Sequence, residues 1–178
     1  MSNKESKNFT KECIYEALWE LLKTKPFAEI TITQIAEKAG VSRNAIYRKF
    51  SSKEMIIKSR LYEKSKEFVE LFNNLNISDH REYIRIVFEF LCNQKHITKI
   101  LIDSGLSLFL LEAFTHAKRF YTTETRNDYY EYYRIGGTYF VYITWLMNGC
   151  VETPEELTDI VCYICNNNPI TPDITINT

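Results

Sequence analysis

Gly40 constrains this chain more than any other residue. It stands inside "TITQIAEKAGVSRNAIYRKF", Thr31 to Phe50, between two segments that each carry their own helix signals. Upstream, Thr31 and Gln34 have the spacing of a capping box, in which the cap hydroxyl and the Gln side chain each satisfy a backbone N–H left over at a helix start. Ile32, Ile35, Ala36 and Ala39 then recur at helical spacing and give that helix one apolar face. Gly40 follows, where a positive φ costs little, and Ser42 is a good cap for a third helix running to about Lys49. A capped helix pair with a glycine elbow is either a piece of ordinary core or a helix-turn-helix. The outer face of the second helix separates the two.

At 100° per residue, Arg43, Asn44, Tyr47 and Arg48 share an arc of roughly 140°. Ala45 and Ile46 fall on the opposite side, toward the preceding helices. The four outward residues suit a DNA groove. Arginine bonds guanine O6 and N7 in bidentate fashion, asparagine does the same with adenine N6 and N7, and tyrosine packs on a thymine methyl or bonds a phosphate. Thr33 is placed to reach the backbone or a base edge. Lys53 heads a fourth helix, where the dipole and free N–H groups also favour a phosphate. Thr31 and Ser42, at the two helix starts, complete the expected DNA-contacting set.

The rest of the chain reads as helix. Only 5 Gly and 4 Pro occur in 178 residues, too few for many short strands and turns. Periodicity and end signals predict further helices over 9–24, 52–73, 81–94, 96–103, 105–122, 128–150 and 154–166, with a polar break at 73–80 and frayed or coiled ends. The last begins Thr153-Pro154-Glu155-Glu156, which is cap, N1 proline and capping-box glutamate in order. The expectation is an all-α chain of about nine helices. There is no run of about 18 apolar residues and no signal-peptide core at the start, so a cytoplasmic location without membrane contact is expected.

Charge is unevenly divided. Residues 1–66 hold 14 Lys and Arg against 8 Asp and Glu, and residues 67–178 hold 8 against 15. The basic front is the candidate for a polyanion partner. Catalysis finds no support: the five glycines form no phosphate loop, and neither H-E-x-x-H nor G-x-S-x-G occurs. The five cysteines lie in apolar helical segments and read as reduced thiols. Cys162-x-x-Cys165 is half of a zinc spacing with nothing to complete it. No catalytic residue, metal or cofactor is expected.

The segment Ile30–Ile57 strongly resembles the DNA-binding domain of the tetracycline-repressor (TetR) family of bacterial regulators. The matching positions are Ile35, Ala36, Ala39, Gly40, Val41, Ser42, Tyr47, Phe50, Ser52, Lys53 and Glu54. Pro26 and Arg48 depart from the residues frequent there, glycine and histidine. The resemblance implies a DNA-binding domain over 1–57, joined through the fourth helix to a regulatory and dimerisation domain over 58–178. It implies a homodimeric repressor on a palindromic operator in double-stranded DNA. The back half is similar to one subgroup, in which the last two helices form a four-helix bundle with their symmetry mates. Tyr139, Tyr142, Trp145 and Leu146 on one helix, and Leu157, Ile160, Val161 and Ile164 on the next, are the expected interface; an intramolecular core is the other reading. In the family a pocket between the back-half helices takes a small molecule that releases the DNA. Phe88, Phe109, Phe114 and Tyr133 are the expected lining here, although aromatics at this spacing also make core. The effector stays open between a small-molecule inducer and a partner protein, as does an alternative role as an activator or helix-turn-helix-derived interaction protein under partner control.

Overall fold

Each helix boundary has a local cause, and together they set where the surfaces lie. The structure, a computed structural model, describes residues 3–75, 79–117 and 128–167. Among these residues it has nine α-helices and no strand: α1 Asn3–Leu22, α2 Ile32–Ala39, α3 Arg43–Tyr47, α4 Lys53–Asn73, α5 His80–Asn93, α6 Lys95–Asp103, α7 Ser107–Ala117, α8 Asp128–Met147 and α9 Pro154–Asn167. The all-α expectation holds. None of the described helices is long and apolar enough to cross a membrane.

Three differences from the expected boundaries have simple reasons. Helix α1 begins at Asn3, since nothing in the polar opening forbids helix. A single turn of 3-10 helix at Phe27–Glu29 fills the gap after Pro26. Helix α8 stops at Met147 because Gly149 and Cys150 both take positive φ, 86° and 58°. The stretch 118–122, expected to extend α7, lies outside the described residues, as does the chain after Asn167.

Two apolar clusters hold the helices. The first joins Ile14, Leu18, Ile35, Ile46, Ile56 and Ile57 of α1–α4 to Leu101, Leu110 and Tyr139 of α6, α7 and α8. The second gathers Phe68, Val87, Phe88, Tyr142, Trp145 and Leu157 from α4, α5, α8 and α9. Helix α4 is in both, with α7 along one side, and α5 packs on α9. Three polar side chains in this interior are paired with neighbouring groups. Tyr142 Oη lies 2.8 Å from Leu91 O and 3.1 Å from Thr98 Oγ1, Ser65 Oγ lies 3.0 Å from both Leu61 O and Ala113 O, and Trp145 Nε1 donates to Glu152 O at 2.8 Å. Burial away from water pushes the Tyr142 hydroxyl well above the ordinary tyrosine range.

Candidate nucleic-acid interface

The elbow forms as its residue types require. Thr31 Oγ1 accepts from Gln34 N at 3.2 Å, and Thr31 N donates to Gln34 Oε1 at 3.0 Å, which closes the capping box. Gly40 has φ 65° and ψ 32°. Val41 N donates to Ala36 O at 3.0 Å and Gly40 N to Glu37 O at 3.2 Å, the pair of bonds that closes a helix through a left-handed residue. Ser42 Oγ accepts from Ala45 N at 3.1 Å and starts α3. Ile46 is fully buried beneath it, so the five-residue helix has one possible orientation on the core.

That orientation leaves Arg43, Asn44, Tyr47 and Arg48 exposed together, with Thr31, Thr33 and Ser42 exposed beside them. Tyr47 is 56% exposed, high for an aromatic residue in a well-packed domain. Thr31 and Ser42 use their oxygens as caps, and as hydroxyls they can still donate to a phosphate. The surrounding charge is sorted in the same direction. Lys11 pairs with Glu63, Arg60 with Glu12 at 3.0 Å, and Lys58 with Glu112 at 2.7 Å, so cations of α1 and α4 are offset where they stand. Lys38, Arg43 and Arg48 enter no ion pair among the described residues. Three cations without an ion pair among the described residues thus stand on and beside α2 and α3, next to the exposed side chains of α3.

Lys53 departs from its expected role. Its Nζ donates to Phe27 O at 2.6 Å, Ile30 O at 2.8 Å and Ala28 O at 3.2 Å, and lies 4.4 Å from the Phe27 ring centroid. All three ammonium protons have an acceptor inside the protein. The residue ties the start of α4 to the 3-10 turn, and is not held out toward a phosphate. Residue order alone does not reveal this, because the acceptors are carbonyls of a turn the periodicity did not predict.

The back-half expectations need larger corrections. Tyr139, Tyr142, Trp145, Leu146 and Leu157 are buried within this single chain, so they are intramolecular core and not an interface. Val161 is half-buried against the second cluster. Ile160 and Ile164 are exposed, as expected for an interface. They share the outside of the molecule with Tyr163 and with a stripe on α8 made of Tyr133, Gly137, Phe140, Thr144 and Met147. Phe140 is 65% exposed and Met147 71%. Positions 133, 140 and 147 repeat every seven residues, which keeps them on one helix face, a signal available in the sequence.

A cavity of about 150 Å³ lies among α4, α5, α7 and α8. Of the expected lining only Phe114 reaches it. Phe88 is buried in the second cluster, Phe109 packs on the first, and Tyr133 points to the outside. The lining comes instead from Leu61, Ser65 and Phe68 of α4, Val87, Phe90 and Leu91 of α5, and Arg134, Ile135 and Thr138 of α8, among others.

Residues 14–59 match the sequence model of the bacterial regulatory proteins of the tetR family. YxbF of Bacillus subtilis, described as an uncharacterized HTH-type transcriptional regulator, is 26% identical over 161 residues, which cover 83% of this chain and 42% of YxbF. The nucleoid occlusion factor SlmA of Alteromonas mediterranea is 43% identical over 104 residues, 52% of this chain and 51% of SlmA. The chain thus spans about half the length of the curated relatives it matches. Among solved structures, Lin0861 from Listeria innocua has a TM-score of 0.80 at 12% identity over 93% of this chain and 94% of its own. The fatty acid degradation regulator FadR from Bacillus halodurans has a TM-score of 0.65 at 18% identity over 90% and 96%. Both have the same fold as this protein. Over residues 14–59 the chain is therefore similar to the tetR family of bacterial regulatory proteins.

Proposed function

We propose that this chain is a tetR-family, sequence-specific DNA-binding transcriptional regulator: a homodimeric repressor that an effector releases from a palindromic operator. The observation that carries the reading is the exposed set Arg43, Asn44, Tyr47 and Arg48 on a helix fixed by a buried Ile46, with the unpaired positive charge around it. Residues 1–57 read the DNA in this account, and residues 58–178 dimerise and sense. One five-residue helix reaches few base pairs, so two-fold pairing is needed to read enough sequence. The exposed stripe of α8, with Ile160, Tyr163 and Ile164 of α9, is the surface that supplies it. A contiguous apolar face of this kind on a soluble chain marks a protein contact.

The test is a gel shift on the DNA upstream of the chain's own coding region, repeated across salt concentrations. A salt-dependent shift is expected, because phosphate contacts release counterions. Arg43→Ala or Asn44→Ala should each cost about 1–3 kcal/mol on the cognate site and relax discrimination there. Folded dimer that shifts no palindromic fragment at low salt would sink the reading. The similarity to a nucleoid occlusion factor favours one second reading, a DNA-bound protein that acts through a protein partner. Under that reading a partner co-purifies, and removing the site upstream of a gene leaves its transcription unchanged.

A further inference from the structure

We propose that the cavity among α4, α5, α7 and α8 is built for a small organic monoanion, a carboxylate on a compact apolar body, and that this is the chemical class of the effector. The proposal rests on the effector-released repressor described above. Its first support is charge. Among the described residues, the cavity lining includes two cations, Lys64 and Arg134, and no Asp or Glu. This runs against its surroundings, since residues 67–178 carry 15 acidic and only 8 basic residues. Both cations are partly exposed and belong to the rim. Lys64 Nζ meets Glu67 at 2.6 Å, an exposed pair three residues apart on one helix, of the kind that is weakly held and readily exchanged for a ligand carboxylate. The Arg134 guanidinium lies 5.2 Å from the ring centroid of Tyr83, another lining residue, which holds its fork at the rim.

The interior sets the rest of the ligand. Phe68, Val87, Phe90, Leu91, Leu110 and Phe114 make an apolar chamber. Three of the hydroxyls that also line it have acceptors within the protein. Ser65 Oγ lies 3.0 Å from two carbonyls, Thr98 donates to Gln94 O at 3.0 Å, and Tyr142 donates to Leu91 O at 2.8 Å. With those three hydroxyls engaged and apolar side chains around them, the chamber favours an apolar body, with the ligand oxygens at the cationic rim. About 150 Å³ is space for a body on the order of six to eight carbons, as a cavity of that volume holds one benzene-sized molecule.

Helix α8 is softened at the same level. Gly136 and Gly137 sit between the lining residues Arg134–Ile135 and Thr138, and a Cβ on either would meet nothing within 4 Å. No close packing among the described residues of this one chain explains them, and paired glycines inside a helix weaken it. An anion that draws Arg134 inward therefore acts on the most compliant part of α8, next to the outward stripe that carries Gly137 and Phe140.

Calorimetric titration of the full chain with octanoate and benzoate, with octanol and benzyl alcohol as neutral counterparts and octylamine as the cation, tests this. Both carboxylates should bind about tenfold or more tightly than their alcohols, the size of a lost charge-assisted hydrogen bond, and octylamine more weakly still. Arg134→Gln should remove about tenfold from carboxylate affinity, leave the alcohols unchanged and unfold like the parent; Lys64→Met should do the same more mildly. Alcohols that bind as well as the acids, variants that bind octanoate normally, or no binding of any probe at millimolar concentration would each overturn the proposal. A carboxylate that binds as described but leaves operator affinity unchanged upholds the cavity chemistry and overturns its role as effector. Loss of all DNA binding by the ligand-free protein would instead refute the regulator reading alone.

Discussion

Replacing Lys53 separates two roles that the sequence does not distinguish. Lys53→Met keeps the stem and removes the ammonium, leaving the Phe27, Ala28 and Ile30 carbonyls without their shared donor. Those bonds span 2.6 to 3.2 Å, and one to a charged group contributes about 1.5–3 kcal/mol. They are not additive. The site is only half-buried, so water can reach part of it once the ammonium is gone. A net loss near one full bond, about 2–3 kcal/mol, is the expected result. For a chain of 178 residues this lowers Tm by about 4–12 °C. Lys53→Arg should recover little of it, because a planar guanidinium does not match three carbonyls converging on one point. Thermal and urea unfolding measure the loss, and DNA affinity across salt measures the alternative. A phosphate contact would lower the salt slope by about 0.9 per protomer and leave stability alone. Parent-like unfolding of Lys53→Met, with a reduced salt slope, would refute the tethering role.

Three other substitutions probe separate parts of the argument. Gly40→Ala should cost about 1–2 kcal/mol from the left-handed backbone alone, because a Cβ there meets nothing within 4 Å; Gly40→Asn should cost less, and chemical denaturation compares them. Tyr142→Phe should lose about 1–2 kcal/mol at neutral pH, from the bond to Leu91 O. Burial raises the folded-state pKa of Tyr142 above the unfolded value near 10, so the folded chain holds its proton where the unfolded chain does not. The parent's advantage over Tyr142→Phe is then complete below about pH 10 and shrinks as pH rises above it, which paired urea titrations at pH 8 and pH 11 would show. Phe140→Asp should turn a dimer into a monomer in sedimentation velocity while leaving the helical circular dichroism unchanged, since Phe140 is 65% exposed within one chain.

The front of the chain was legible because its signals are local. A capping box, a left-handed glycine and a serine cap act over three or four residues, and each determines a helix end wherever the chain is placed. The exposed arc of α3 follows from those ends and the apolar Ile46. The back of the chain carries two stripes on one helix, and both are aromatic. Tyr139, Tyr142 and Trp145 face inward, while Tyr133, Phe140 and Met147 face outward. Periodicity finds both faces and cannot rank them, because what ranks them is the position of α5 and α9 in space. The same limit hid the cavity. Lys64 and Arg134 lie 70 positions apart, and only the packing of α4 and α8 on α7 brings their charges to one rim. Lys53 failed for a related reason, since its partners are backbone atoms, which no residue pattern encodes.

The two kinds of feature meet on α4. At its first residue, Lys53 is bonded to the turn that leads into α2. Ile56 and Ile57 then pack in the cluster that also buries Ile46 beneath α3. About one to three turns further on, Leu61, Lys64, Ser65 and Phe68 form a wall of the cavity, and Ser65 Oγ reaches the Ala113 carbonyl of α7. A helix of 21 residues is stiff over this length, so a ligand that shifts its middle against α7 must also move its start. The start adjoins α3, and in the proposed dimer a shift of α3 alters the separation of two recognition helices that would have to meet successive major grooves. On the proposed reading, a cavity and a DNA-reading helix with no residue in common would be coupled through one rigid element, provided the two positions of that element bind ligand and DNA unequally.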